Sequence, residues 1–329
     1  MKTKVLLSVL LSVGALAQAE TVTVYSARNE QLIKPLFDAY TRETGVQVRF
    51  VTGTEGALLA RLKAEGANSP ADMLLTVDAG NLWLAANQGV LKPVKSAVLE
   101  SNIPAHLRDP NGEWFGLSVR ARTMFYNKVR VQPASLSSYE DLADPKWKGR
   151  LCLRTSKKVY NQSLVAMLIA QHGEQKTEQI VRGWVANLAT APFSDDTAML
   201  KAVAAGQCEV GIANTYYYGR MIAKEPNLPV GIFWANQKAG GVHVNVSGAG
   251  VTRHARNEKG AIRLIEWLSS NKAQNLYADK NMEYPANPKI KADSIVAGWG
   301  SFKPNLINVA KAGELQAQAT KLMDRAGYK

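Results

Sequence analysis

The chain has 329 residues, is 46% hydrophobic and 20% charged, and carries a formal net charge of +13. This apolar content excludes a disordered chain, and the length provides for two domains or lobes with real cores. Two cysteines exclude a disulfide scaffold, and four scattered histidines argue against a zinc enzyme.

Residues 1–19 have the make-up of a secretory signal peptide. Lys2 and Lys4 precede the apolar run Val5–Leu16, and Ala17-Gln18-Ala19 supplies a small-residue cleavage site. Removing it leaves 310 residues and a net charge of +11. No second long apolar run follows, so an integral membrane protein is not expected. The basic residues are spread along the chain, with no run longer than Lys157-Lys158 and no interleaving with aromatics. General surface charge is the expectation, with no nucleic-acid partner.

The remaining chain opens with the alternating strand Thr21–Tyr25. A helix follows, with Leu32, Ile33, Leu36, Phe37 and Tyr40 on one face, and Gly45 ends it. Strand Val46–Val51, helix Leu58–Glu65 and strand Ala71–Val77 come next. The alternation returns in strand Arg150–Arg154, helices Gln162–Gln171, Glu174–Leu188 and Thr197–Ala205, and strand Cys208–Ala213. Helical patterns over Ala261–Ser269 and Ala273–Lys280 follow. Strands and helices at this spacing predict an α/β protein with a largely parallel sheet. With no flexible linker, two lobes joined by hinge-like chain crossings are expected, their ligand held in the cleft between them near strand ends and helix starts. Cys152 and Cys208 fall in two of the strands, and an oxidising compartment allows them to form a disulfide if those strands are neighbours.

Signatures of catalysis are missing. There is no Gly-x-Ser-x-Gly, His-Glu-x-x-His or Walker A motif, and Ser269–Lys272 matches Ser-x-x-Lys without its companion motifs. Gly248-Ala249-Gly250 lacks the third glycine of a dinucleotide fingerprint and reads as ordinary turn chemistry. A secreted hydrolase would have to use paired carboxylates such as Asp195 and Asp196, which read more simply as a helix cap before Thr197–Ala205.

The run Asn214-Thr-Tyr-Tyr-Tyr-Gly-Arg220 directly follows a strand, where α/β folds place ligands. In a turn entering a helix, two consecutive phenols can converge on one point. They suit stacking on an organic ligand, packing in a core, or phenolate ligation of a hard trivalent cation such as Fe³⁺. From these seven residues alone, packing or stacking is the simpler reading, and iron ligation the third.

Across the chain, Tyr25-Ser-Ala-Arg28, Glu65-Gly-Ala-Asn-Ser-Pro-Ala-Asp72, Trp114-Phe-Gly-Leu-Ser-Val-Arg-Ala-Arg122, Asp144-Pro-Lys-Trp-Lys-Gly149, Tyr160-Asn-Gln-Ser163, Asn214-Thr-Tyr-Tyr217, His243-Val-Asn-Val-Ser-Gly248 and Glu283-Tyr-Pro285 occur in order. In these stretches the chain resembles the periplasmic ferric-iron-binding proteins of bacterial iron ABC importers, the bacterial transferrins, and within them the cyanobacterial branch.

The resemblance implies a periplasmic location and the two-lobed periplasmic binding protein fold, type II-like. It implies a first lobe of residues 20–119 with about 245–295, and a second of 120–244 with about 296–329. It further implies Tyr160, Tyr216 and Tyr217 as ligands to Fe³⁺, and Arg28, Arg120 and Arg122 as holders of a synergistic anion such as carbonate. The partner implied is an inner-membrane ABC permease, with the binding protein acting as a monomer. Many relatives carry His or His-Tyr just after the first strand, where Asn29 and Glu30 stand here. Glu30 is thus a candidate further ligand. So is Asp78, which matches a ligand position of some relatives and also reads as a helix cap before Asn81. Tyr218 has no ligand counterpart and reads as lining or packing. The alternative function is a binding protein for a small organic or oxyanion ligand.

Overall fold

A computed structural model describes residues 19–329 of the chain. The expected signal peptide, all but its last residue, lies outside them. The first strand, β1 (Thr21–Ser26), leads into helix α1 (Glu30–Thr44), β2 (Gln47–Thr52), α2 (Glu55–Glu65), β3 (Met73–Val77), α3 (Ala79–Asn87) and α4 (Ala97–Asn102). β4 (Phe115–Asn127) and β5 (Leu151–Cys152) precede α5 (Val159–His172), α6 (Glu174–Ala186) and α7 (Asp196–Ala204). Then come β6 (Val210–Asn214), α8 (Thr215–Ile222), β7 (Val230–Phe233) and β8 (Val244–Val251). The chain closes with α9 (Glu258–Leu268), α10 (Asn271–Asn281), β9 (Tyr284–Pro285), α11 (Ser294–Ala297), α12 (Lys311–Glu314) and α13 (Gln316–Arg325).

The early elements form where apolar periodicity and caps agree. α1 buries Ile33, Leu36, Phe37 and Tyr40 and ends on Gly45 at φ +75°, the left-handed conformation that glycine takes at least cost. α2 starts at Thr54, whose hydroxyl accepts from Ala57 N. β1 lies between β2 and β3, parallel to both.

The strand order is β2-β1-β3-β8-β4-β6-β5, with β7 and β9 also pairing β4. The sheet is not largely parallel as expected, because every pairing of β4 and β8 is antiparallel and only β1–β2, β1–β3 and β5–β6 are parallel. β4 changes partners along its length. Phe115–Ala121 pairs antiparallel with β8, whereas Arg122–Tyr126 pairs with β6 and Met124–Asn127 with β7. One continuous strand therefore belongs to both halves of the molecule. β4 and β8 carry no strand expectation in the sequence, because β4 alternates apolar residues with arginines that read as surface and is nonetheless buried almost throughout. Gly248 and Gly250 sit inside β8, not in a turn. A Cβ at Gly248 would lie 2.4 Å from Phe115 O, so close strand approach is what requires glycine there.

β5 covers two residues where five were expected. Beyond them the segment is tied through Leu151, Leu153 and Thr155 to residues 187–193, which breaks a regular ladder. β5 runs parallel to β6, Cys152 opposite Gly211, and a disulfide joins Cys152 to Cys208, their Cα atoms 5.8 Å apart. It closes a sequence separation of 56 residues. Replacing both cysteines by serine is expected to lower unfolding stability by up to about 4 kcal/mol, read as an earlier urea midpoint; an unchanged midpoint would contradict this.

Candidate functional site

Three tyrosines reach one cavity from two helix starts. Tyr160 lies in the first turn of α5, and Tyr216 and Tyr217 in the first turn of α8, immediately after β6. The short strand–helix junctions of β6–α8 and β5–α5 put both starts at neighbouring strand ends, where backbone N–H groups and side chains face a common space. Tyr160 and Tyr216 are each 8% exposed, and the Tyr216 and Tyr217 ring centroids stand 4.4 Å apart. The cavity, about 180 Å³, is completed by Arg28, Glu55, Arg120, Arg220, Ser247 and Glu283. Volume does not single it out, since an apolar hollow of about 470 Å³ lies beside Phe233 and Trp234. The meeting of phenols, arginines and carboxylates does.

Burial pushes the Tyr160 phenol up to about 12, reinforced by the neighbouring Tyr217 and opposed by Arg120. Tyr216 is likewise raised well above the ordinary phenol range, first by burial and then by Tyr160 and Tyr217. Cationic groups crowd these rings. The Arg120 and Arg154 guanidiniums each lie 5.5 Å from the Tyr160 ring centroid, and Lys158 Nζ lies 4.8 Å from it. Arg220 lies 5.0 Å from the Tyr216 centroid. Asn214 Nδ2 donates to Tyr216 Oη at 3.3 Å and Arg154 Nη1 to Tyr217 Oη at 3.5 Å. Tyr218 turns away, donating to Val230 O and packing on Phe125 and Trp299.

The expected anion-holding arginines divide into two kinds. Arg28 and Arg120 line the cavity, and each already has a carboxylate partner. Arg28 is paired with Glu283, which also accepts from Ser118 Oγ at 2.9 Å. Arg120 Nη2 bonds Asp78 Oδ2 at 3.2 Å. Arg122 does not face the cavity. It is 1% exposed and spends its donors on Asp196 (3.0 Å), Asn214 (3.1 Å), Ile212 O (3.2 Å) and twice on Asn161. An anion cannot reach it without breaking that network.

The two further ligand candidates are placed elsewhere. Glu30 is exposed at the start of α1 and does not line the cavity. Asp78 is fully buried behind the wall, where it caps α3 through Gly80 N (3.0 Å), accepts from Ser163 Oγ (2.7 Å) and pairs Arg120. Asp195 caps α7 through Ala198 N at 2.8 Å, as its Ser-Asp-Asp-Thr setting suggests. Its neighbour Asp196 instead pairs Arg122, a role the same setting gives no sign of. Glu55 and Glu283 were also missed as wall residues, since neither stands near the tyrosines in sequence. Among the described residues no group of three or more His, Cys, Asp or Glu is placed to hold a metal, so any metal here would depend on the phenols.

Residues 68–298 match the model of the bacterial extracellular solute-binding proteins. The chain belongs to that family. It is 45% identical to iron uptake protein A1 of Synechocystis, over 95% of this chain and 88% of that one. The Trichodesmium protein IdiA, or FutA, solved with iron and citrate ligands, superposes with a TM-score of 0.91 at 45% identity, covering 94% of this chain and all of that one. The ferric iron-binding protein A of Mannheimia haemolytica, in an open conformation, superposes with a TM-score of 0.88 at 39% identity, over 94% and 99% of the two chains. Solute-binding proteins of this family are transport components, not enzymes, and the two-lobed α/β architecture is that of these ferric-binding relatives.

The Arg122–Asp196 pair is buried on both sides, and removing one partner would strand the other charge. Asp196→Asn is expected to cost about 3–5 kcal/mol of folding stability, measured by denaturant unfolding of the ligand-free protein. A cost below about 1 kcal/mol would mean that water reaches the pair.

Proposed function

We propose that this solute-binding protein captures ferric iron through Tyr160, Tyr216 and Tyr217 and delivers it to an inner-membrane ABC permease. The observation that carries the reading is the convergence of three phenols, from two helix starts, on one cavity, with Tyr160 and Tyr216 buried in its wall. Phenolate oxygens are hard anionic donors, and three of them neutralise the formal charge of Fe³⁺. The names of the relatives, iron uptake proteins and ferric-binding proteins, point the same way. The lobes proposed, residues 20–119 with about 245–295 and 120–244 with about 296–329, would close over the ion, and closure is favoured by whatever contacts the closed form alone makes. The signal peptide expected over residues 1–19 accords with a periplasmic site of capture. Arg28 and Arg120 are the candidates for a synergistic anion such as carbonate, which would have to share them with Glu283 and Asp78.

Titrating metal-stripped protein with a ferric salt is expected to give a phenolate-to-iron charge-transfer colour that saturates at one equivalent and is weakened in Tyr216→Phe. No colour in the unaltered protein would remove phenolate ligation and turn attention to a small organic or oxyanion ligand.

Loading must also displace the phenolic protons. Up to three protons are expected per iron, one for each of the three tyrosines named, in a weakly buffered titration. Apparent affinity therefore falls as pH is lowered. Release of no protons would contradict ligation by the tyrosines.

A further inference from the structure

Three phenolates leave coordination positions of a ferric ion open, and the sequence pattern offers no histidine from the first lobe to fill one. The two carboxylates expected to substitute are both unavailable: Glu30 is outside the cavity and Asp78 is consumed by Arg120, Ser163 and the start of α3. Two other carboxylates line the cavity, Glu283 and Glu55. Glu283 is held by Arg28 and Ser118 and is 4% exposed. Glu55 is held by nothing comparable. Its one ion pair among the described residues is with Lys158, at 3.9 Å, and the two side chains remain 26% and 30% exposed.

The placement of this loose pair gives it meaning. Glu55 opens α2, which follows β2 in the first half of the fold, whereas Lys158 immediately precedes α5, two residues before Tyr160. The lysine ammonium stands 4.8 Å from the centre of the Tyr160 ring and 3.9 Å from the glutamate oxygen. It therefore stands beside both the glutamate and the tyrosine wall, a cation that keeps the carboxylate next to the phenols. A helix start favours a carboxylate in any case, but that preference accounts neither for a place in the cavity wall nor for a partner across the cleft.

Resting on the ferric reading above, we infer that Glu55 is the first-half oxygen ligand of the bound ferric ion, with Lys158 holding the carboxylate before iron arrives and giving it up on loading. A carboxylate oxygen is a hard donor matched to Fe³⁺. Such a ligand gives closure a direct energetic cause, because a bond made only when the halves approach is a differential contact of the closed state.

The experiment is a competition titration of ferric ion between the protein and citrate, read by the charge-transfer band, on the unaltered protein and on Glu55→Gln, Glu55→Asp, Lys158→Met and Tyr216→Phe. Small-angle X-ray scattering with and without iron reports closure. Glu55→Gln is expected to weaken ferric affinity at least about tenfold and to reduce iron-dependent compaction, while keeping the colour that the phenolates supply. Glu55→Asp should retain part of the affinity, and Lys158→Met should equal or exceed the unaltered protein. Glu55→Gln binding like the unaltered protein would overturn the inference. So would an equal loss in Lys158→Met, which would make the pair a latch between the halves with no ligand in it. Failure of the underlying reading looks different: the unaltered protein stays colourless, or Tyr216→Phe leaves the colour unchanged.

Discussion

A guanidinium cut off from water must find acceptors for all of its donors inside the protein, and the Arg122 side chain does so at the centre of this molecule. Its partners come from three places: Asn161 in the first turn of α5, Asp196 at the start of α7, and Asn214 with Ile212 on β6. Asn161 adjoins Tyr160, and Asn214 is two residues before Tyr216. The network that satisfies one buried charge thereby fixes the relative positions of the two helix starts that carry the tyrosines. Removing water strengthens each of these bonds and makes any unpaired member costly, so the set stands or falls together.

The same residue marks where β4 leaves one set of partners for another. Here Tyr139 acts as a cross-tie. It is fully buried, and its hydroxyl donates to Arg122 O and accepts from His243 N at 3.1 Å, while Arg122 N donates to His243 O at 3.0 Å. The two chain crossings are thus bonded to each other and to a third segment at one level. Under the lobe closure proposed above, bending would be concentrated where the strands change partners, leaving the tyrosine-bearing helices fixed relative to each other. The disulfide reinforces the same half, since Cys152 ends β5 and Cys208 lies two residues before β6, the strands that lead to α5 and α8.

Local chemistry made a good part of this legible in the sequence. The β1–α1–β2 start, the cap at Asp195 and the strand before the tyrosine run all follow from period, cap and turn residues, which act over a few positions. The resemblance carried the tyrosines further, to a shared site that the structure brings together as a cavity. What stayed hidden depends on distant partners. Arg120 and Arg122 occupy alternate positions of one strand and look equivalent, yet one lines the cavity and the other is enclosed, because only the fold brings Asp196 and Asn161 to Arg122. Glu30 looked well placed beside the first strand, but its side chain emerges on the exposed start of α1. Glu55 gives no signal of its place in the cavity wall, because 105 positions separate it from Tyr160 in the sequence.

The charge around the tyrosines bears on which ion such a site would favour. Arg120, Arg154, Lys158 and Arg220 surround the rings, and not all are matched by carboxylates: Asp196 is shared between Arg122 and Arg154, the latter at 3.7 Å. A bare cation entering this wall is repelled unless its arrival creates negative charge in place. Ionising three phenols does so, but burial has already raised the cost of ionising Tyr160 and Tyr216. Only an ion whose bonds to phenolate oxygen exceed that cost is retained, which favours a hard trivalent ion over Ca²⁺ or Mg²⁺, whose oxygen ligands are carboxylates, carbonyls and water. On this reading the buried phenols and the cationic wall together discriminate against weaker-binding divalent ions. A carboxylate such as Glu55, or an accompanying anion, then lets the loaded site match the surplus positive charge around it.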